Sequence, residues 1–423
     1  MHVTITIFWV LAICLLAQSV AVLFGTSNFL RYVRRSRSRL LNNFTPPVAL
    51  LIPCKGLEPE FEANVASYLG QDYPHYQVIF TVASADDPAY EALRTCLESA
   101  SKNKLNKEEE TIGPQATPPY AGVQTALVVA GYSESIGEKI HNLLEGLKAV
   151  DARAEVLAFG DSDVRPKRDW LRSLVAPFQD PTVTVSTGVG WDLPGAGFGS
   201  QVRTAWDALN VMLLGDHEYN HVCGQSMAVR SIDFKRMGVA ERYWANAVSD
   251  DDALTQAVHD AGGRIWFEPR CVVASRREVK FGEFLRWSNR QMTKTRIYWP
   301  GLWWAGAATC VFSLGTALLG LIMLALPSIS ARQRLLMAGT LLAILLLVIS
   351  KGFMHETIAK ELFPEEAPTL SRYGACYWQL SLLVPWVVLL NYLLSSVTRR
   401  IEWRGTQYEL KSVNETRVIR RDK

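Results

Sequence analysis

The sequence contains no Cys-x-x-Cys pair. Its seven cysteines, at positions 14, 54, 96, 223, 271, 310 and 376, are scattered and odd in number. That spacing argues against a zinc site and for unpaired thiols in a reducing compartment. There is no internal repeat, which excludes solenoids and propellers. No basic stretch is interleaved with aromatics into a groove pattern, so nucleic acid is not an expected partner. Charge is missing altogether from four blocks, residues 3–30, 302–330, 335–350 and 375–398. Such blocks are long enough, or nearly so, to cross a bilayer as helices.

The charges fall between and beside these blocks. The formal net charge of +3 conceals two arginine clusters. Arg31, Arg34, Arg35, Arg37 and Arg39 follow the first block, and Arg399, Arg400, Arg404, Arg417, Arg420, Arg421 and Lys423 follow the last. Basic residues beside apolar blocks mark the cytoplasmic face. The first block starts neutral, is long and is followed by arginines, which fits a retained anchor with its N-terminus outside better than a cleaved signal peptide. Four crossings would then put the basic tail outside, against the charge bias. Either one block is re-entrant or interfacial, or the tail is an exception. The expected organisation is an anchor over 1–30, a basic linker over 31–47, a cytosolic domain over 48–297, transmembrane segments over 301–398 and a basic tail over 399–423.

Within 48–297, short apolar runs alternate with helical stretches. Strands are expected at 48–53, 77–82, 123–130 and 155–159, and helices at 58–69, 86–100 and 139–149. This rhythm predicts an α/β domain with a parallel sheet covered on both faces, and ligands beyond the carboxyl ends of its strands. Residues 101–121, rich in Lys, Glu, Asn and Pro, read as a flexible insertion. Residues 197–214 and 281–304 mix tryptophan and arginine with apolar residues, as helices at a headgroup boundary do; ordinary packing against the domain is the plainer alternative.

Three acidic clusters carry the chemistry. Asp161-Ser162-Asp163 follows the apolar run at 155–159, where two carboxylates one residue apart can share one hard cation and a diphosphate. Asp86-Asp87-Pro88 follows the second strand. It suits contacts to a base or ribose, and equally a helix cap with proline in the first turn. Asp250-Asp251-Asp252 opens a helix after Ser249. The macrodipole welcomes one or two acids there, but three in a row repel, which suits a general base toward an acceptor hydroxyl. His217 and His221 could approach an acceptor, although a lone histidine is more often a core or surface residue.

Together, Leu51-Ile-Pro-Cys-Lys-Gly56, Tyr73-Pro74, the three acidic clusters, Lys139-Ile-His-Asn-Leu143 and Cys223-Gly-Gln-Ser-Met227 resemble the family-2-like inverting glycosyltransferases of the GT-A fold. The resemblance is greatest to the ceramide glucosyltransferase family. It implies a GT-A nucleotide-sugar-binding domain with one N-terminal and about three C-terminal transmembrane helices. It implies transfer of a hexose, by default glucose from UDP-glucose, to a lipid hydroxyl such as that of ceramide; hopanoid and diacylglycerol are other acceptors. Asp86 or Asp87 would contact uridine, Lys139 and Asn142 would line the nucleotide pocket, Asp161 and Asp163 would hold Mg2+ or Mn2+ and the diphosphate, and Asp251 would be the catalytic base. One departure is plain. The family's Gln/Arg-x-x-Arg-Trp motif reads here Trp287-Ser-Asn-Arg290-Gln291, which keeps the arginine beside the leaving group and Gln291 beside the donor, but not the tryptophan. A processive polysaccharide synthase, or a catalytically inactive membrane scaffold, are the alternatives.

Overall fold

The computed structural model describes residues 2–41, 43–110 and 123–421. Most of the expected insertion at 101–121 lies outside them; its first ten residues continue a helix. The chain divides into two compact units. One comprises residues 36–192, 214–277 and 399–423, and the other residues 1–35, 193–213 and 278–398.

The first unit is built on a seven-stranded sheet in the order β3-β2-β1-β4-β7-β5-β8. Its strands are β1 (Val48–Pro53), β2 (Tyr76–Val82), β3 (Gln124–Val129), β4 (Val156–Gly160), β5 (Val183–Thr187), β7 (Ser226–Arg230) and β8 (Arg264–Phe267). The period-two alternation of a strand splits their side chains between two cores. Val48, Leu50 and Ile52 of β1, with Val78, Phe80 and Val82 of β2, face one side. Helices α2 (Phe61–Leu69), α3 (Pro88–Glu110) and α5 (Trp170–Val175) cover that side. Ala49, Leu51 and Ile79 face the other, with α4 (Glu138–Leu147), α7 (Ser231–Met237) and α8 (Asp250–Asp260). Burying one such side chain contributes about 1.5–3 kcal/mol, so strands apolar on both faces are stable only when sandwiched in this way.

The four expected strands and three expected helices are present within a few residues of their predicted limits, except that α3 runs ten residues past its expected end. β1 to β4 are mutually parallel, as predicted. The sheet as a whole is not, because β7 runs antiparallel to both β4 and β5. A short parallel pair, β6 (Gly190–Asp192) with β9 (Val273–Ser275), lies apart from it. The chain winds outward from β1 through β2 to β3, then returns to β4 on the other side of β1. The β1/β4 boundary is therefore a topological switch point, where the loops after both strands diverge and leave a crevice.

The basic tail expected over 399–423 is instead a three-stranded antiparallel sheet of this same unit. Its strands are β10 (Arg400–Trp403), β11 (Thr406–Ser412) and β12 (Glu415–Arg421). Ile401, Tyr408 and Leu410 are buried while Glu402 and Gln407 between them are exposed. That alternation turns an arginine-rich segment into a half-buried sheet.

In the second unit, α1 (His2–Ser38), α10 (Pro300–Ala325) and α11 (Ala331–Leu362) are each long and apolar enough to cross a membrane. α1 carries on through Arg31, Arg34 and Arg35, so the expected linker begins as helix. Arginine is a good helix former, and nothing there breaks the helix. The last apolar block is not one straight span. Residues 375–382, which include α13 (Ala375–Gln379), and α14 (Val384–Val397) meet at a 55° bend. Pro385 sits in the first turn of α14, where it restarts a helix without breaking one. The unit also holds α6 (Phe198–Asn210), α9 (Phe281–Tyr298) and α12 (Ala367–Arg372). Trp206 of α6 packs on Phe284 of α9, and the buried Arg203 pairs with Asp207 while its guanidinium lies over the Trp287 ring. Trp206, Arg203 and Trp287 thus pack within the unit, whereas Trp304 is exposed.

Candidate active site

Asp161 and Asp163 leave the carboxyl end of β4 at the switch point, and their main chain is held from α2. The Tyr68 hydroxyl donates to the Asp161 carbonyl at 2.7 Å, and Asn64 Nδ2 donates to the Ser162 carbonyl at 3.1 Å. Gly160 permits the first contact, since a Cβ there would stand 2.6 Å from the Tyr68 oxygen. Phe159, one residue earlier, packs edge-on against Trp244, whose indole N–H donates to the Asp250 carbonyl at 3.0 Å. One aromatic pair therefore ties the acidic turn after β4 to the start of α8.

Lys139 joins the same two elements through its side chain. It lies in the first turn of α4, with Nζ 2.7 Å from Asp161 Oδ1 and 3.0 Å from Asp250 Oδ2. Burial pulls the ammonium down, but Asp161, Asp250 and Asp251 outweigh it and hold Lys139 above its usual value. Burial raises Asp161 to about 6, against the pull of Lys139 and with the push of Asp163 and Asp250. Gly224 makes room for the cluster, because a Cβ there would meet Asp250 Oδ2 at 2.7 Å and Lys139 Nζ at 2.8 Å. Asn142, one turn further along α4, is buried and its Oδ1 has no hydrogen-bond partner.

The three aspartates at the start of α8 differ. Asp250 is buried against Lys139. Asp251 and Asp252 are half-buried and share the Ser249 hydroxyl, and Asp251 Oδ2 accepts from the Gly224 N–H at 3.3 Å. Burial pulls the His221 imidazole below its usual value, while Asp252 and Asp251 pull the other way. Asp86 and Asp87 differ too. Asp87 accepts from the Gly56 N–H at 2.8 Å and from the Ala89 N–H at 2.9 Å, so it caps α3 and pins the loop after β1. Asp86 is exposed beside Ser84.

The structure thus gathers Asp86, Asp87, Lys139, Asn142, Asp161, Asp163 and Asp251 in one unit, around the carboxyl ends of its strands. Arg290 and Gln291 belong to the other unit, on α9. Three residues here have site roles that the sequence does not assign to them individually. Asp250 is the second anchor of Lys139. Glu138, buried beside it, pairs with Lys55 at 2.8 Å. Arg404, at the turn of the C-terminal sheet, has Nη2 3.1 Å from Asp163 Oδ2 and 2.9 Å from Glu58 Oε1. The adjacent Arg404-Gly405 pair was the available signal, being a residue and a glycine between two alternating runs.

Among the described residues no cluster of three or more His, Cys, Asp or Glu side chains is placed to hold a metal ion unaided. The residues nevertheless fit a hard divalent cation. Asp163 Oδ1 is buried and has no hydrogen-bond partner. Magnesium-like ions are commonly held by one or two carboxylates, with substrate phosphates and water completing the shell. Asp161 and Asp163 would be those carboxylates.

Two glycosyltransferases are among the solved structures that this chain resembles. One is a mannosyltransferase from Pyrobaculum calidifontis, solved with GDP-Man and Mn2+, with a TM-score of 0.48 at 16% identity over 92% of this chain and 98% of that one. Another is glucosyl-3-phosphoglycerate synthase from Mycobacterium tuberculosis, with a TM-score of 0.36 at 12% identity over 63% of this chain and 82% of that one. The family model for glycosyl transferase family 21 matches residues 9–416, nearly the whole chain. An α/β domain with acidic clusters at its strand ends and helices apolar enough to span a bilayer accord with that match. The chain belongs to glycosyl transferase family 21, the ceramide glucosyltransferase family, and is a membrane-associated glycosyltransferase.

Proposed function

We propose that this protein transfers a hexose, with glucose from UDP-glucose as the family default, to the hydroxyl of a lipid that stays in the bilayer, with inversion at the anomeric carbon. Ceramide is the first acceptor to test. The observation that carries this reading is the convergence of Asp161, Asp163, Lys139 and the start of α8 at the switch point of the sheet.

Asp251 is the base. Asp250 is buried with its Oδ2 paired to Lys139, whereas the Asp251 carboxylate is half-buried at the positive end of α8. It takes the proton of the acceptor hydroxyl as that oxygen attacks the anomeric carbon and the bond from that carbon to the diphosphate breaks. Asp87 is committed to two backbone N–H groups, which leaves Asp86 to meet the uracil or ribose. Lys139 and Asn142 border the nucleotide. Asp161 and Asp163 hold Mg2+ or Mn2+, which when bound supplies Lewis-acid neutralisation of the diphosphate. The catalytic unit faces the cytoplasm, in keeping with the arginines after α1.

The test incubates membranes containing the protein with labelled UDP-glucose, UDP-galactose and GDP-mannose, then extracts lipid. Label in a glycolipid, abolished by Asp251→Ala and by EDTA, supports the reading. Label in a polymer would point to a polysaccharide synthase, and a phenotype unaffected by Asp251→Ala would point to a scaffold.

A further inference from the structure

Arg404 occupies a costly position. It and Gly405 form the two-residue connection between β10 and β11, and both have positive φ, at 47° and 75°. That turn favours Asn-Gly or Gly-Gly, and a non-glycine residue with left-handed backbone is uncommon enough to call for a reason. The reason lies in where the side chain goes. Arg404 Nη1 donates to the Lys55 carbonyl at 2.7 Å, on the loop after β1, while Nη2 reaches Glu58 and Asp163. The guanidinium therefore bridges the two loops that diverge at the switch point.

The rest of the sheet is fixed to hold it there. The Glu138 N–H donates to the buried Tyr408 hydroxyl at 3.2 Å, the Val418 N–H donates to the Glu134 carbonyl at 3.2 Å, and Arg421 lies over the Tyr132 ring. Arg404 uses only one oxygen of Asp163. It bonds Oδ2, while Oδ1 stays buried and unpartnered. The carboxylate can thus carry the guanidinium on one oxygen and a divalent cation on the other. A plug occupying the metal position would take up both. An arginine fork beside a cation and between two loops matches the oxygens of a diphosphate, which arginine binds in a planar, multidentate way.

We propose that Arg404, delivered by the C-terminal sheet, is a ligand of the donor's diphosphate. This rests on the nucleotide-sugar reading above and adds to it a phosphate contact from outside the central sheet. In a chain that lacks the motif tryptophan, the leaving group gains a second cation from the far end of the sequence.

The experiment measures binding of UDP, UMP and uridine to the full-length protein in detergent, with Mn2+ present, by calorimetry. Arg404→Asn and Arg404→Gly both accept the left-handed turn, so either keeps the hairpin if the other fails to fold. The expected result is a loss of about 10- to 100-fold for UDP, from one charge-assisted phosphate contact, a smaller loss for UMP and none for uridine. Equal loss for all three would mean that Arg404 only supports the fold. Unchanged or tighter UDP binding would also overturn the proposal, the tighter case identifying a plug that competes with the cation. Wild-type protein that binds neither UDP nor GDP would defeat the nucleotide-sugar reading itself. If wild type prefers GDP, the same series is run with GDP, GMP and guanosine.

Discussion

The two carboxylates of the Asp161-Ser162-Asp163 turn are held in opposite ways. Asp161 is served by Lys139, from α4 in the same α/β winding, and that lysine is 13% exposed. Asp163 is served by Arg404, 241 residues later in the chain and 30% exposed, on a small sheet added after the last apolar helix. The first cation lies between the buried Asp250 and Asp161, which is 23% exposed. The second lies between Glu58 and Asp163 and is the more exposed of the two cations. A buried ion pair broken on one side leaves an uncompensated charge, whereas a half-exposed one costs little when lost. The difference separates a residue that holds the site together from one placed to act on what enters it.

The largest effect should come from a residue that neither cation replaces. Asp251→Asn is expected to lower turnover by about 10²–10⁴-fold with donor affinity within a few-fold of wild type. Single-turnover rates and donor titration check this, and a variant that keeps its rate would remove Asp251 from the chemistry. Lys139→Met should destabilise the catalytic unit by about 3–5 kcal/mol, read as a lower thermal midpoint or faster proteolysis. Arg404→Asn should shift the same readout by less than about 1 kcal/mol. Equal shifts, or a reversed order, would erase the contrast between the two cations. Tyr408→Phe removes one hydroxyl that ties the C-terminal sheet to α4. The loss of about 1 kcal/mol should appear as roughly five-fold weaker UDP binding, with uridine binding unchanged.

The smallest effect is a pH dependence. Burial first, and then the neighbouring carboxylates, raise Asp161 to about 6 despite Lys139. A raised value means that the folded protein keeps the proton there longer than a free aspartate does. The carboxylate prevails only above it. In the absence of donor, Mn2+ affinity should therefore rise as pH climbs through about 6, by up to about tenfold per pH unit for one displaced proton. Asp161→Asn should flatten the profile, and a profile rising only above pH ~8 would assign the titration to another group.

The contrast also marks what the sequence made legible. The Asp161-Ser162-Asp163 and Asp250–Asp252 clusters could be singled out because they follow a strand or open a helix in a rhythm read from apolar runs, whereas Lys139 and the choice of Asp251 came from the family resemblance. β7 could be seen as an apolar segment after Gly224-Gln225, but nothing in Ser226–Arg230 gives its direction, so the antiparallel insertion stayed hidden. The C-terminal sheet was hidden by composition. Its arginines dominate the segment and read as a solvated tail, although Tyr408 and Leu410 alternate as a half-buried strand must. Asp250 was masked by its neighbours, since three adjacent aspartates look alike until a lysine chooses one. The helical continuation of α1 shows the same limit, because an arginine run marks the edge of a membrane without ending a helix.

Membership of residues 399–423 in the catalytic unit fixes a parity. Chain that leaves this unit after Arg277 rejoins it at Arg399, so it must make an even number of membrane passages in between. α10 and α11 are long and apolar enough to be two such passages, and the segments before and within α14, bent by 55°, make either one broken span or a re-entrant loop. The sheet that bears Arg404 is synthesised only after the whole helical segment, so a chain that stops within that segment lacks the Arg404 pairing with Asp163.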